Sequence, residues 1–328
     1  MNLFSGYYSY KKKSFLIIAF VVDSLLFPVK FFIRSTSFVK LKLGSGDKIL
    51  IFSLGGLGDA VLLEPLIRFL NKRHSTIKID VITNDLSAKV LKLIPGIDEI
   101  IIFPDFKKGF NPGQWIKFWY KNKIKLLNSY KVATDTNGDP LAIIFMLASR
   151  VPCRAGFVNG GLGAFLHIAH DNNELISRTK QLLSFCDGSE EDSIPKIELS
   201  SGILKSEAEF INQIESNDSL PRLGIHLGAG EATKIFSLDS WIKILNSLIG
   251  RYKIFYFGSL DDKKTLYNIP SELSSKIIDL SGIPFNQVVS GISKMSLFIG
   301  HDSGLTHIAS AMSVKSLCLF SLVHDPDV

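Results

Sequence analysis

Lys48–Pro65 reads KILIFSLGGLGDAVLLEP, and this stretch decides the architecture. Ile49, Leu50, Ile51 and Phe52 form a short apolar run, the pattern of a parallel strand buried on both faces. Gly55, Gly56 and Gly58 follow at once, and Ala60–Leu70 then takes up helical periodicity. Strand, glycine turn and helix make the first unit of a doubly wound α/β domain, whose ligands bind at the carboxyl ends of the strands. Asp59 stands at that end, where the turn becomes a helix. As an N-cap it would accept the free N–H groups of the first turn. At a strand tip flanked by glycines it would equally serve as a general base.

Upstream, residues 1–13 are aromatic and basic and end in Lys11, Lys12 and Lys13. Ser14–Ile33 is strongly apolar, but Asp23 and Lys30 interrupt it and Pro28 would kink a helix. A spanning helix needs about 20 apolar residues without a charge at mid-span. On a helical wheel Asp23, Lys30 and Arg34 fall near one another and leave a narrow polar stripe. The expected structure is a helix lying in the membrane interface with its lysines against anionic headgroups, in preference to a true span or a core or oligomer helix. No small-residue cleavage site follows, which argues against a signal peptide.

Downstream the alternation is regular. Apolar runs at Ile77–Thr83, Glu99–Phe103 and Lys131–Asp135 read as strands separated by helices. Asp105–Gly113 is a glycine–proline surface loop. The lysines at 107, 108, 117, 121, 123, 125 and 131 read as a solvated face, and a phosphorylated acceptor or a membrane is their functional alternative. After Val151 the chain is rich in glycine (Gly156, Gly160, Gly161, Gly163), which predicts a loop or clamp. His167 and His170 have no companions at metal-ligand spacing. Asp187–Ser193 and Glu198–Ser201 form the linker zone.

A second α/β series begins near Arg222. Leu223–His226, Lys253–Phe257, Leu297–Gly300 and Ser316–Phe320 read as strands, with a helix from Leu238. The chain stops at Val328, just after a strand, so a truncated carboxyl-terminal domain is expected. The expected division is a membrane-associating segment at 1–46, one domain at 47–200 and a second at 201–328.

With 328 residues, 46% of them apolar, the chain is long enough for two cored domains. Its mean hydropathy is +0.23 and its pI about 9.0. A net charge of +6 suits anionic lipid, phosphorylated substrates or nucleic acid. Three widely separated cysteines (Cys153, Cys186, Cys318) indicate a reducing compartment without structural disulfides or zinc.

Three loops stand at strand ends in the second half. HLGAGEATK offers Gly228 and Gly230 for close backbone approach, then Thr233 and Lys234, a hydroxyl and an ammonium beside free amides that together suit phosphate. In Gly258–Asp262, Asp261 reads as a helix cap. HDSGLTH supplies Asp302 and Ser303 as N-cap residues, Gly304 to expose the amides of the helix start, and His307 one turn on. An anion at this N-terminus, favoured by the helix dipole, accounts for the whole set.

The stretches ILIFSLGGLGDAVLLEPLIRFL, LGIHLGAGEATKIFSLDSW and FIGHDSGLTHIASAM resemble the three signature regions of glycosyltransferase family 9, which contains the ADP-heptose:lipopolysaccharide heptosyltransferases. The resemblance runs from Lys48 to Asp327, and the third region matches the pattern D-[ST]-G-x-x-H through Asp302, Ser303, Gly304 and His307. It implies a GT-B fold, two Rossmann-like domains facing each other across a cleft, with the acceptor on the first and the nucleotide sugar on the second. By resemblance Asp59 matches the catalytic base, and Gly55, Gly56 and Gly58 lie on the acceptor side. Thr233 and Lys234 match donor-phosphate contacts, with Gly228 before them. Asp302 matches the carboxylate that holds sugar hydroxyls, and Ser303, Gly304, Leu305 and His307 match the diphosphate-binding helix start. Three departures bear on donor and acceptor identity. Ile235 and Phe236 replace an Arg-Trp pair, Gly56 replaces a basic residue, and Leu260 stands where some members recognise the nucleoside with an acid.

These residues imply transfer with inversion. Asp59 would deprotonate the acceptor hydroxyl, while a cation and helix-start amides stabilise the departing nucleoside diphosphate. No carboxylate pair at DxD spacing marks a strand end, so neither metal nor cofactor is expected. The implied partners are a nucleotide-diphosphate sugar such as ADP-heptose, a lipopolysaccharide or other glycolipid acceptor and an anionic membrane surface, with no nucleic acid. The implied location is the cytoplasmic face of the inner membrane, peripherally bound. Two other classes compete. A nicotinamide-dependent oxidoreductase finds only a poor G-x-G-x-x-G match in GGLGD and no ribose-binding acid about 20 residues on. A non-catalytic scaffold binding a glycan or lipid intermediate would be distinguished by the absence of sugar turnover.

Overall fold

The computed structural model describes residues 13–26, 28, 43–104, 112–170, 177–186, 188, 190–215 and 220–320. The described residues up to Gly55, with Leu62–Ile194, form one compact unit, and Gly56–Val61 with the described residues from Pro195 form the other.

In the first unit the apolar run becomes the central strand. β1 (Lys48–Ser53), β2 (Lys78–Thr83), β3 (Glu99–Ile102), β4 (Val132–Asp135), β5 (Cys153–Phe157) and β6 (Ile168–His170) form one sheet in the order β3-β2-β1-β4-β5-β6. Every pairing is parallel. The connections after β1 and β4 leave on opposite sides, so the topological switch point of this sheet lies between those two strands. Ile49, Leu50, Ile51 and Phe52 are fully buried, and side chains of this kind contribute about 1.5–3 kcal/mol each on leaving water. Phe103 meets Phe118 and Phe145 edge to face at centroid distances of 4.8 and 5.2 Å, closing the core over one face.

The expected helix Ala60–Leu70 is two helices, Leu57–Leu62 and Glu64–Arg73. Pro65 explains the break. Its nitrogen has no proton for the helical ladder, and its ring would meet the carbonyl four residues back, so it is tolerated only in a first turn.

The glycine-rich region after Val151 differs more. It is not a clamp, because Cys153–Phe157 and Ile168–His170 extend the sheet as parallel strands. Arg154 and Gly156 interrupt the apolar pattern there, and the backbone ladder to β4 holds the strand instead. Beyond β5 the chain turns sharply, with Gly161 and Leu162 at φ of 88° and 61°. This turn receives the amino-terminal helix Lys13–Leu25: Asp23 Oδ1 accepts from the Leu162 N–H at 2.8 Å, and Ala19 is buried beside Gly161. Asp23 thus holds the helix to the domain, while Lys30 and Arg34 of the expected polar stripe lie outside the described residues. Ile17, Phe20, Val21 and Leu25 are exposed. Among the described residues no helix is long and apolar enough to cross a membrane.

The second unit repeats the plan with β7 (Arg222–His226), β8 (Lys253–Tyr256), β9 (Ile277–Asp279), β10 (Leu297–His301) and β11 (Ser316–Leu319), ordered β11-β10-β7-β8-β9 and all parallel. Its core is built on Leu223, Ile225, Tyr256 and Ile299, with Trp241 and Leu245 supplied by the helix Leu238–Leu248. Residues 321–328, on which the expectation of truncation falls, lie outside the described residues.

Candidate active site

Strands β7 and β10 are neighbours, with His226 opposite Gly300. Their carboxyl ends therefore deliver two loops to one edge of the sheet. The loop after β7 carries Thr233 and Lys234 in a short turn, Ala232–Lys234. The loop after β10 carries Asp302 and Ser303 into the helix Gly304–Ala311.

Asp302 joins them. Lys234 Nζ donates to its Oδ2, and His307 Nε2 lies 3.0 Å from its Oδ1. The His307 hydrogen bond, followed by the Lys234 ammonium, holds the Asp302 carboxyl well below the usual carboxylate range against the opposing effect of burial. Asp302 is therefore an anion at any working pH. It does not cap the helix, and neither does Ser303. Ser303 occupies the N-cap position in extended conformation (φ −147°, ψ 160°) without a side-chain cap. Its hydroxyl lies 3.0 Å from His226 Nδ1 and 3.3 Å from Thr306 Oγ1. The N-terminal amides of this helix thus have no side-chain cap of their own. Leu305 is buried beneath them.

The turn Gly56–Val61 belongs to the same unit and packs on this helix start. A methyl group at Gly58 would lie 2.9 Å from His307 Cδ2, and one at Gly304 would lie 2.3 Å from Leu57 Cβ. Only glycine permits either approach. Asp59 follows Gly58 in the first turn of Leu57–Leu62, three residues past the N-cap position, which Gly56 occupies. Its Oδ2 accepts from the Gly56 N–H at 2.7 Å, the return half of a capping box. The Gly55 carbonyl, in the first unit, accepts from Asn84 Nδ2 at 2.7 Å and Ser87 Oγ at 2.9 Å.

The Gly258–Asp262 loop also differs from expectation. Asp261 is exposed and caps nothing; Asp262 closes the loop by accepting from the Ser259 N–H and hydroxyl at 2.8 and 2.7 Å. His226 Nε2 lies 3.8 Å from Asp262. The His226 contact, with the Ser259 donors, keeps the Asp262 carboxyl well below its ordinary range despite burial. Gly228, expected to face a ligand, is buried: a methyl group there would lie 2.5 Å from Asp262 Oδ1 and 3.0 Å from His226 Nε2. Thr233 is exposed.

A model of glycosyltransferase family 9 (heptosyltransferase) matches residues 127–327, which include the loops after β7 and β10. The chain belongs to that family. It is 24% identical to lipooligosaccharide heptosyltransferase 2 of Haemophilus ducreyi over 294 residues, 81% of this chain and 80% of that one. Its structure is similar to that of ADP-heptose lipopolysaccharide heptosyltransferase II from Escherichia coli, with a TM-score of 0.69 at 20% identity over 85% of this chain and 86% of that one. A family 9 glycosyltransferase from Veillonella parvula gives the same TM-score at 16% identity, over 84% and 80% of the two chains. The fold is GT-B, built from the two Rossmann-like units described above, and the chain is a glycosyltransferase of the heptosyltransferase family. This sets aside the nicotinamide-dependent oxidoreductase. The turn that carries Asp59 lies outside the matched span.

The structure of this glycosyltransferase gathers Gly58, Lys234, Asp302, Ser303, Gly304 and His307 into one group. His226, His301, Asp262 and Asp135 are not among the site residues expected from the sequence. A histidine ending each of two adjacent strands, in IHLG and IGHD, was the available signal for the first two. Asp135 ends β4 beside the switch point and is fully buried. Its carboxylate accepts from the N–H groups of Asn137, Gly138 and Asp139, the last at 2.9 Å. Burial, then the neighbouring Asp139, pushes its pKa from 3.8 up to about 7.

The raised pKa of Asp135 makes stability depend on pH. Between the unfolded and folded values the folded state holds a proton that the unfolded state has released, so the stability due to Asp135 falls as pH rises. The stability of the wild type relative to Asp135→Asn should decline by a few kcal/mol between about pH 4 and pH 7 and level off above that. Denaturant unfolding of both proteins across this range checks it, and a constant difference would mean that Asp135 is ionised throughout.

Proposed function

We propose that this family 9 enzyme transfers a heptose from ADP-heptose to a lipopolysaccharide-type acceptor, with inversion and without a metal ion. The observation that carries this reading is the packing of the Gly56–Val61 turn on the helix start beside Asp302, His307 and Lys234. It brings a carboxylate suited to a general base next to a set of groups suited to a diphosphate. Asp59 takes the proton of the acceptor hydroxyl as that oxygen attacks the anomeric carbon. The bond from this carbon to the diphosphate oxygen breaks as the new one forms. Lys234 and the uncapped amides at Gly304 and Leu305 take up the charge that develops on the departing ADP, which a cation and helix-terminus dipoles can do in place of a metal. Asp302, held as an anion, accepts hydrogen bonds from sugar hydroxyls. Thr233 and Gly228 belong to the donor loop, and Gly55, Gly56 and Gly58 to the acceptor side. The name of the curated relative supports a heptose and a lipooligosaccharide-type acceptor. Incubation with ADP-heptose and heptose-deficient lipopolysaccharide tests the reading: acceptor-dependent release of ADP is the expected result, and no release from this or any other nucleotide sugar would leave a scaffold.

An acceptor of this class suits an enzyme at the cytoplasmic face of the inner membrane. The exposed Ile17, Phe20, Val21 and Leu25, preceded in sequence by Lys11–Lys13, suit an anionic bilayer surface. Deleting residues 1–40 should abolish cosedimentation with vesicles containing phosphatidylglycerol and leave both domains folded. Equal binding by the full and shortened chains would contradict this.

A further inference from the structure

His301 ends β10 and is completely buried. Its Nε2 accepts from the Phe236 N–H at 3.0 Å and from the Trp241 indole N–H at 3.2 Å. A nitrogen that accepts two donors carries no proton, so the proton is assigned to Nδ1, which then donates to the Gly228 carbonyl at 3.3 Å. The imidazole is neutral, and burial, together with the nearby His226, keeps its pKa below the usual histidine range. Its ring packs against Trp241 at a right angle, centroids 5.4 Å apart, and against Phe236 at 5.5 Å. Its own carbonyl accepts from Thr306 Oγ1 at 2.7 Å.

Gly228 and Phe236 are the two ends of the loop that carries Thr233 and Lys234. Ala232 and Thr233 are exposed, and Lys234 reaches back to Asp302, the residue after His301. One imidazole therefore grips both ends of this loop, and the next residue in the chain is the Asp302 that the loop's lysine meets. We infer that His301 is a positioning residue for the donor, clamping the Gly228–Phe236 loop so that Lys234 is held beside Asp302 at the helix start. The inference rests on the donor-site reading above. It assigns His301 no contact with substrate.

The test compares ADP binding by calorimetry, and donor and acceptor KM, in the full chain and its variants. His301→Leu removes the acceptor for two buried donors and should weaken ADP binding about tenfold or more. It should raise the KM for ADP-heptose and leave acceptor KM within about twofold. His301→Gln places an oxygen where Nε2 was and should recover most of the loss. If His301→Leu does not fold, His301→Asn, whose side chain does not reach the Nε2 position, gives the same contrast with His301→Gln. Lys234→Ala is the control. Loss of ADP binding in Lys234→Ala with wild-type binding in His301→Leu would overturn the clamp alone. Equal rises in donor and acceptor KM, with no recovery in His301→Gln, would reduce His301 to a structural residue and also overturn it. Normal ADP binding by Lys234→Ala would overturn the donor-site reading, and the clamp with it.

Discussion

Asp59→Asn should lower turnover by about 10²–10⁴-fold, the usual contribution of a general base. The substitution is chosen because it separates proton transfer from helix capping. Asp59 Oδ2 accepts the Gly56 N–H, and the amide oxygen of asparagine can accept the same bond, as glutamine does in place of glutamate in a capping box. The turn should keep its place on the helix start, because Gly58 meets the His307 ring and Gly304 meets the Leu57 side chain, contacts that the substitution does not touch. ADP affinity and melting temperature should barely change. A carboxylate that only returns the capping bond predicts the reverse: near-normal turnover in Asp59→Asn and a loss of about 1 kcal/mol of stability in Asp59→Ala. Rates under saturating donor and acceptor decide between them.

Lys234→Ala carries the second large effect. The ammonium donates to Asp302 and has further protons for a phosphate. Hydrogen bonds to charged groups contribute about 1.5–3 kcal/mol, so ADP binding should weaken by about 10- to 100-fold. Turnover should fall as well, because the same cation meets the charge on the leaving diphosphate. Asp302 then keeps only His307 among the two partners that hold its pKa down. His307→Ala should do less than Lys234→Ala, since the uncapped amides remain. Calorimetric titration with ADP and initial rates at varied donor check both. Unchanged ADP affinity in Lys234→Ala would remove the donor from this edge of the second sheet.

What the sequence disclosed follows from the range of the forces involved. The KILIFS run was legible because a parallel strand buried on both faces needs an uninterrupted apolar segment, and the glycine turn because two backbone approaches admit no side chain. CRAGF was not legible as β5. Its Arg154 and Gly156 break the pattern, and its identity as a strand comes from hydrogen bonds to β4, which no local signal announces. The helix beginning near Ala60 was legible in kind, yet Pro65 had to be read as a break as well as a helical residue. In the site, Lys234 and Asp302 were visible by motif. Their mutual pairing, and the roles of His226, His301 and Asp262, were not, because the partners are far apart in sequence and meet only when β7, β8 and β10 lie side by side. Asp135 looked like the last residue of a strand, and only the fold of Asn137–Asp139 back over its carboxylate gives it a raised pKa.

The anomeric configuration of the sugar, followed during transfer, distinguishes metal-free inverting transfer from its alternatives. Wild-type protein, ADP-heptose and a heptose-deficient lipopolysaccharide acceptor would be incubated with chelator present, and donor and product read by NMR. The expected result is acceptor-dependent ADP release, a product of inverted configuration and an undiminished rate in chelator. A product of retained configuration, or transfer abolished by the chelator and restored by a divalent cation, would contradict it.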